Sequence, residues 1–132
     1  MIWKISMPVA AAALAAACTA DSMPEPSEGA RLFADNCTAC HGYRGEGGEL
    51  IGGQDAPDLT LIAARNGGAF PRARVLTQID GYGRGKVPVE IMPEFGALLK
   101  GDLVPVEVDG VLTPTPRPLA ALLTYLENIQ DS

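Results

Sequence analysis

The sequence predicts a small, mostly α-helical domain with four to five short helices and a short β-hairpin before the last helix. Several segments place apolar residues at helical spacing. Glycine and proline interrupt the chain between those segments, and one stretch near the C-terminus alternates apolar and polar residues as a strand pair does. At 132 residues the chain has room for one small domain.

The first helix is predicted from about Glu28 to Asn36, with Ser27 as its N-cap and Phe33 on its apolar face. A glycine-rich loop from Gly42 to Gly53 follows, because this segment has almost no apolar periodicity. Apolar spacing, prolines at helix starts and glycines at helix ends predict further helical segments at 58–66, 71–80, 94–100 and 118–129.

The segment before the last helix is predicted to form a β-hairpin. Val104, Val106 and Val108 alternate with polar residues or proline, and the Asp109-Gly110 pair is typical of a tight turn. The last helix carries a continuous leucine-rich stripe. We expect it to cross the first helix, with Gly29 allowing close approach and Phe33 meeting Tyr125.

The N-terminus has the features of an export signal rather than of a folded domain. A short positive segment ending at Lys4 precedes an apolar stretch that is too short to span a bilayer comfortably. We therefore divide the chain into a signal peptide at 1–17, a flexible tether at 18–27 and a folded domain at 28–132; an uncleaved anchor is the alternative. Cys18 follows three alanines as in a lipobox, so lipidation of Cys18 and simple cleavage after Ala17 or Ala20 both remain open.

The net charge of −6 disfavours nucleic-acid binding. An acidic surface complements a partner with a basic docking patch, although acidity can also serve only to keep an exported protein soluble.

Cys37, Cys40 and His41 form a Cys-x-x-Cys-His motif that contains the only histidine of the chain. This spacing is the signature of covalent haem attachment, in which two thiols form thioethers with the vinyl groups and the histidine coordinates iron. A zinc site is the alternative, but it needs four ligands and would have to recruit carboxylates here. A thiol–disulfide exchange motif would require a βαβ context, which the helical pattern does not provide.

A haem electron carrier needs a second axial ligand, commonly methionine or histidine. No second histidine exists, and Met1, Met7 and Met23 lie in the signal or the tether, which leaves Met92. Met92 could instead be an ordinary core residue. Pro93 argues for the ligand, because a residue before proline is biased away from helix, so that a loop can aim the thioether at iron.

The chain resembles a bacterial class I cytochrome c over residues 28–130. The resemblance rests on the first helix, the Cys37 to His41 motif, Pro57 in the following loop, Met92-Pro93 and the last helix. It implies one covalent haem c with His41 as the proximal and Met92 as the distal ligand, and a Pro57 carbonyl that accepts a hydrogen bond from the other nitrogen of His41. It further implies a periplasmic electron carrier, not an enzyme, with a respiratory complex or a dehydrogenase as redox partner.

Some features stay open. Arg72 and Arg74 could pair with the haem propionates or remain solvated, and Tyr82, Arg84 and Lys86 are weaker candidates. The stretch 103–116 is longer than the family's usual connection, which leaves the cover on that side of the haem undetermined. The functional alternatives are a haem-bearing subunit of a larger dehydrogenase or oxidase complex and a haem-based ligand sensor.

Overall fold

The computed structural model of the protein describes residues 22–50, 52–83 and 91–131. The segment 1–17 predicted as a signal peptide, Cys18, Arg84 and Lys86 lie outside these residues. The helices are α1 (Pro26–Asn36), α2 (Thr38–His41), α3 (Ile62–Arg65), α4 (Arg72–Asp80), α5 (Phe95–Leu98) and α6 (Arg117–Asn128); the strands are β1 (Gly48–Glu49), β2 (Asp55–Ala56), β3 (Leu103–Val108) and β4 (Val111–Pro116). The mostly α class is confirmed, with six helical segments in the described part because Cys37 separates α1 from the one-turn α2.

The crossing of α1 and α6 organises the domain. A Cβ built at Gly29 would lie 2.6 Å from the Cβ of Tyr125 and would also meet the carbonyl oxygen of Ala121, so only glycine allows this contact. Phe33 packs on Tyr125 with a 5.1 Å distance between ring centroids. The predicted contact between the first and last helices is therefore confirmed. The buried leucines of α6 and Phe33 are part of one apolar core.

The start of α1 differs from the prediction. The helix begins at Pro26 and its N-cap is Glu25, so Ser27 lies inside the helix, and no side chain caps it. Proline can start a helix at this position because its fixed φ is already helical. Upstream, Pro24 is fully buried and Arg117 donates a hydrogen bond to the carbonyl of Ser22. Residues 22–27 are thus packed on the domain, which corrects the expectation of a flexible tether for this part of 18–27.

The segment predicted as a helix at 58–66 is mostly a turn. The Asp58 carboxylate accepts hydrogen bonds from the backbone N–H and the hydroxyl of Thr60, and these bonds compete with helix formation. The same bonds lower the pKa of Asp58. Only the single turn α3 remains helical, whereas α4 has nearly the predicted bounds and ends at Gly81 in the left-handed conformation.

The predicted hairpin is confirmed. β3 and β4 pair antiparallel from Leu103↔Pro116 to Val108↔Val111, with Asp109 and Gly110 at positive φ in the turn. Val104 and Val106 are buried in the core, so these apolar residues of the alternating pattern face inward as expected. None of the helices in the described ranges has the length and apolar character of a membrane-spanning segment.

Candidate haem-binding site

A cavity of about 470 Å³ opens between the end of α1, α4, α6 and the segment before α5. Its lining is mainly apolar, as in cofactor sites generally. The five residues predicted as haem ligands or contacts all line it: Cys37, Cys40, His41, Pro57 and Met92. Within the described chain, the lining contains no residue of the β3–β4 hairpin, which packs on α6 instead.

The two thiols lie about one helical turn apart, with Cys37 directly after α1 and Cys40 in α2. The N–H of Cys37 donates to the carbonyl of Phe33, and the N–H of His41 donates to the carbonyl of Cys37. Cys37 is half-buried and Cys40 is exposed. Burial, together with the neighbouring Cys40, raises the pKa of the Cys37 thiol to about 11, so before haem attachment this thiol is uncharged at neutral pH.

His41 is oriented by a backbone carbonyl. Its Nδ1 lies 3.2 Å from the carbonyl oxygen of Pro57, and because a carbonyl oxygen only accepts, Nδ1 carries the proton. Nε2 is then the nitrogen with a lone pair for a metal. Burial lowers the pKa of His41 despite the opposing effect of the Pro57 hydrogen bond, which favours the neutral, metal-binding imidazole.

Met92 lies in non-helical chain, and α5 begins three residues later at Phe95, as the Met92-Pro93 sequence predicts. The half-buried Met92 side chain packs against the apolar core and lines the cavity. Gln78 of α4 donates a hydrogen bond from Nε2 to the Met92 sulfur at 3.5 Å. No sequence pattern singles out Gln78, because its partner is 14 residues away in the chain.

Among the described residues, two guanidinium groups line the cavity. Arg74 does so and donates to the side chain of Asn66 at 2.7 Å. Arg65, which the sequence analysis did not identify, also lines the cavity and donates to the carbonyl of Asp58. The sequence carries no local signal that singles out Arg65, because its place at the cavity depends on how α3 packs.

The other propionate candidates have different environments. Arg72 does not line the cavity and is not a solvated surface residue either: it pairs with Glu127 at 2.7 Å and donates to the carbonyl of Glu107 at 3.1 Å. This pairing raises the pKa of Arg72. Tyr82 is 89% exposed and outside the cavity lining.

The donor set fits haem and does not fit structural zinc. In the described ranges, no three His, Cys, Asp or Glu residues lie close enough together to hold a metal ion, whereas structural zinc takes four ligands. The cavity instead offers an apolar lining, two thiols, an imidazole with Nε2 available, a thioether and two guanidinium groups. These groups match an apolar macrocycle with two vinyl groups, an iron and two carboxylates.

Comparisons with known proteins agree with this chemistry. The cytochrome c family model matches residues 26–112. The chain is 42% identical over 73 residues to the cbb3-type cytochrome c oxidase subunit CcoP of Cereibacter sphaeroides; this match covers 55% of the chain and 22% of that relative, so the chain matches about a fifth of the relative's length. No solved structure shows a significant match. The chain belongs to the cytochrome c family of haem-based electron-transfer proteins and carries covalently bound haem c with iron.

Proposed function

We propose that the protein is a periplasmic, monohaem electron carrier in which Cys37 and Cys40 form the thioether links and His41 and Met92 are the axial ligands. The observation that carries this proposal is the shared cavity: His41, with Nε2 left free by its bond to Pro57, and the sulfur-bearing side chain of Met92 both line it. Bound haem supplies an iron that alternates between the ferric and ferrous states.

His41 and Met92 determine how an electron reaches and leaves the iron. With His41 and Met92 both holding the iron, no position would be left for a substrate, and electron transfer would be outer-sphere. Methionine ligation raises the reduction potential relative to two nitrogen ligands. The Pro57 carbonyl fixes the His41 ring plane and increases the basicity of Nε2.

Arg65 and Arg74 are the proposed partners of the haem propionates, because theirs are the guanidinium groups that line the cavity in the described chain. Both side chains are exposed, so the carboxylates would lie toward solvent. Arg72 is not proposed for this role, since Glu127 already neutralises it.

The proposed route for the electron is the cavity edge near the thiols. Cys40 and Ile91 line the cavity and are exposed, so a partner can approach there over a partly apolar rim. The net charge of −6 favours a partner with a basic docking patch.

Met92→Ala tests the ligand set. We expect covalent haem to remain, because both thiols are intact, while the far-red sulfur-to-iron band of the ferric protein disappears and the reduction potential falls. Absorption spectroscopy and redox titration measure both effects. Met23→Ala is a matched control, since Met23 also packs half-buried against the core but does not line the cavity, and its band should persist. An unchanged Met92→Ala spectrum would remove Met92 from the site.

A second candidate function, a haem-bearing subunit of a larger oxidase, is favoured by the relative, which is named as an oxidase subunit. Co-purification with an oxidase from membranes would support it, and a monomer released by periplasmic extraction would support the free carrier.

A ligand sensor is tested by carbon monoxide, because rapid stoichiometric binding to the ferrous protein is incompatible with a stable Met92 bond.

Cys18→Ser tests whether a lipid on Cys18 holds the protein at the membrane, one of the two alternatives left open by the sequence. If the Cys18 thiol carries the lipid, its loss should move the mature protein from the membrane fraction to the soluble periplasmic fraction, because the buried acyl methylenes are lost. Fractionation followed by haem staining measures this, and the neighbouring Thr19→Ser change is the control. Membrane association that survives Cys18→Ser would show that the apolar N-terminal segment is retained instead.

A further inference from the structure

The β3–β4 hairpin has one face that packs on the core and one that is exposed and apolar. Side chains alternate between the two faces of a strand pair, and Val104, Val106 and Thr115 are buried on the inner face. The opposite face, the outer hairpin face, consists of the cross-strand pairs Leu103–Pro116, Pro105–Pro114 and Glu107–Leu112. Five of these six residues are leucine or proline, yet Leu103 and Leu112 are 60% and 67% exposed. Exposed apolar surface of this kind is typical of a contact site.

The edges of the hairpin are poorly suited to pairing with a further strand. The N–H of Arg117 donates to the carbonyl of Asp102, and in an antiparallel pair such bonded positions recur at every second residue. The pairs of the outer hairpin face are therefore the non-bonded ones, whose backbone N–H positions point away from the hairpin. Proline fills three of these six positions and has no N–H to donate. A partner would therefore contact the side chains of the outer hairpin face rather than extend the sheet.

The hairpin is fixed to the domain, so its outer face is already formed before any partner binds. Val104 and Val106 insert into the core from β3. Near the turn, Arg72 of α4 donates to the carbonyl of Glu107 at 3.1 Å and pairs with Glu127 of α6 at 2.7 Å. Little conformational freedom remains to be lost when a partner binds, which favours affinity.

The charge around the outer hairpin face indicates which kind of partner fits it. Asp102, Glu107 and Asp109 are exposed, before β3, within it and in the turn. Arg72 lies 3.8 Å from the Glu107 carboxylate but is already paired with Glu127. An anionic lipid bilayer would be repelled by these carboxylates, and a second copy would be repelled by the net charge of −6. Lysine or arginine around an apolar patch would complement them.

We propose that the outer hairpin face is a docking surface for a second protein whose contact area is apolar and bordered by lysine or arginine. Leu103 and Leu112 supply the apolar contact, and Asp102 and Asp109 meet the basic border. In the described part of the chain, the haem cavity has no lining residue from the hairpin. The domain can thus be held through this face while the cavity edge near the thiols stays open for electron transfer.

Site-specific photo-crosslinking of the full-length, haem-loaded protein in its native cells tests this surface. With p-benzoylphenylalanine in place of Leu103, we expect one crosslinked protein, and mass spectrometry should map the crosslink to an apolar segment next to lysine or arginine. Leu112→Ser in the same protein should lower the crosslink yield at least fivefold, because an apolar contact is lost. Val111→Ser is the matched control: Val111 is 64% exposed but points to the opposite face, so the yield should not change.

The acidic border has its own test. Asp102→Asn combined with Asp109→Asn should lower the same crosslink yield about threefold or more, because the attraction to the basic border is lost. Asparagine tolerates the left-handed backbone of Asp109, whose φ is 51°, so the turn should persist. An unchanged yield would contradict the basic border of the proposed partner.

The remaining outcomes separate this inference from the proposed function. Crosslinks to lipid or to a second copy alone, no crosslink, or equal yields in Leu112→Ser and Val111→Ser would overturn the docking surface. Both serine variants should keep the far-red band and the urea midpoint of the wild type, because neither residue lines the cavity or lies in the core. Failure of the axial assignment in Met92→Ala would leave the crosslink pattern as it is, so the two failures are distinguishable.

Discussion

Gly29→Ala should destabilise the folded protein by about 2–4 kcal/mol, although alanine is the better helix former by about 1 kcal/mol. The new Cβ would meet the Ala121 carbonyl oxygen and would lie 2.6 Å from the Cβ of Tyr125. Atoms of the α6 backbone cannot rotate away, so α1 and α6 must separate. Separation would also loosen Phe33 from Tyr125 and displace Cys37, which directly follows α1.

Urea unfolding of the ferric protein measures this change in the free energy of unfolding. Ser27→Ala is the control on the same helix, because Ser27 is exposed and makes no capping hydrogen bond; its effect should stay within about 0.5 kcal/mol. A true N-cap would lose about 1 kcal/mol. A Gly29→Ala protein as stable as the wild type would show that the helices do not cross at this distance.

The crossing and the hairpin could be predicted because their signals are local. A glycine on the apolar face of a helix, a leucine stripe and an Asp-Gly turn between alternating valines each constrain the backbone within a few residues. The start of α1 could not be assigned in the same way. Ser27 has the side chain of an N-cap, but Pro26 begins the helix one residue earlier, and the burial of Pro24 depends on the packed domain rather than on sequence spacing.

At the haem site, too, local patterns could be predicted from the sequence, whereas contacts between distant segments could not. The Cys37 to His41 spacing is a local pattern, and Met92 followed from the count of methionines and from Pro93. The charged and polar contacts depend on tertiary partners: Arg72 is neutralised by Glu127, 55 residues away, whereas Arg65 and Gln78 reach the cavity through the placement of α3 and α4. Such partners are visible only once the fold is known.

The contact between His41 and Pro57 was expected from the family resemblance alone, and the structure supplies its local cause. Gly47 donates its N–H to the carbonyl of His41 at 2.8 Å and passes directly beside the chain that carries Pro57. β1 and β2 pair here, with Gly48 opposite Ala56. The loop after the haem motif thus folds back, and this return places the Pro57 carbonyl against the imidazole.

Gly47→Ala is consequently expected to disturb the ligand side of the haem as well as the fold. A Cβ at Gly47 would meet the Ala56 carbonyl oxygen, and it would lie 2.8 Å from the Pro57 carbonyl carbon and 2.9 Å from the Asp58 nitrogen. All three are backbone atoms, so the Pro57 segment must move. We expect a loss of about 3 kcal/mol in the free energy of unfolding, of which about 1 kcal/mol is the cost of a left-handed alanine.

Gly53→Ala separates these two contributions. Gly53 has the same φ of 76° as Gly47, but a Cβ there would have no neighbour within 4 Å, so only the backbone cost should appear. The second readout is the reduction potential. With His41 as the proposed axial ligand, a weakened bond from Nδ1 to Pro57 would make the imidazole a poorer donor to ferric iron, which should raise the potential in Gly47→Ala and leave it unchanged in Gly53→Ala. Equal stability losses and equal potentials in the two variants would mean that Gly47 does not support the Pro57 contact.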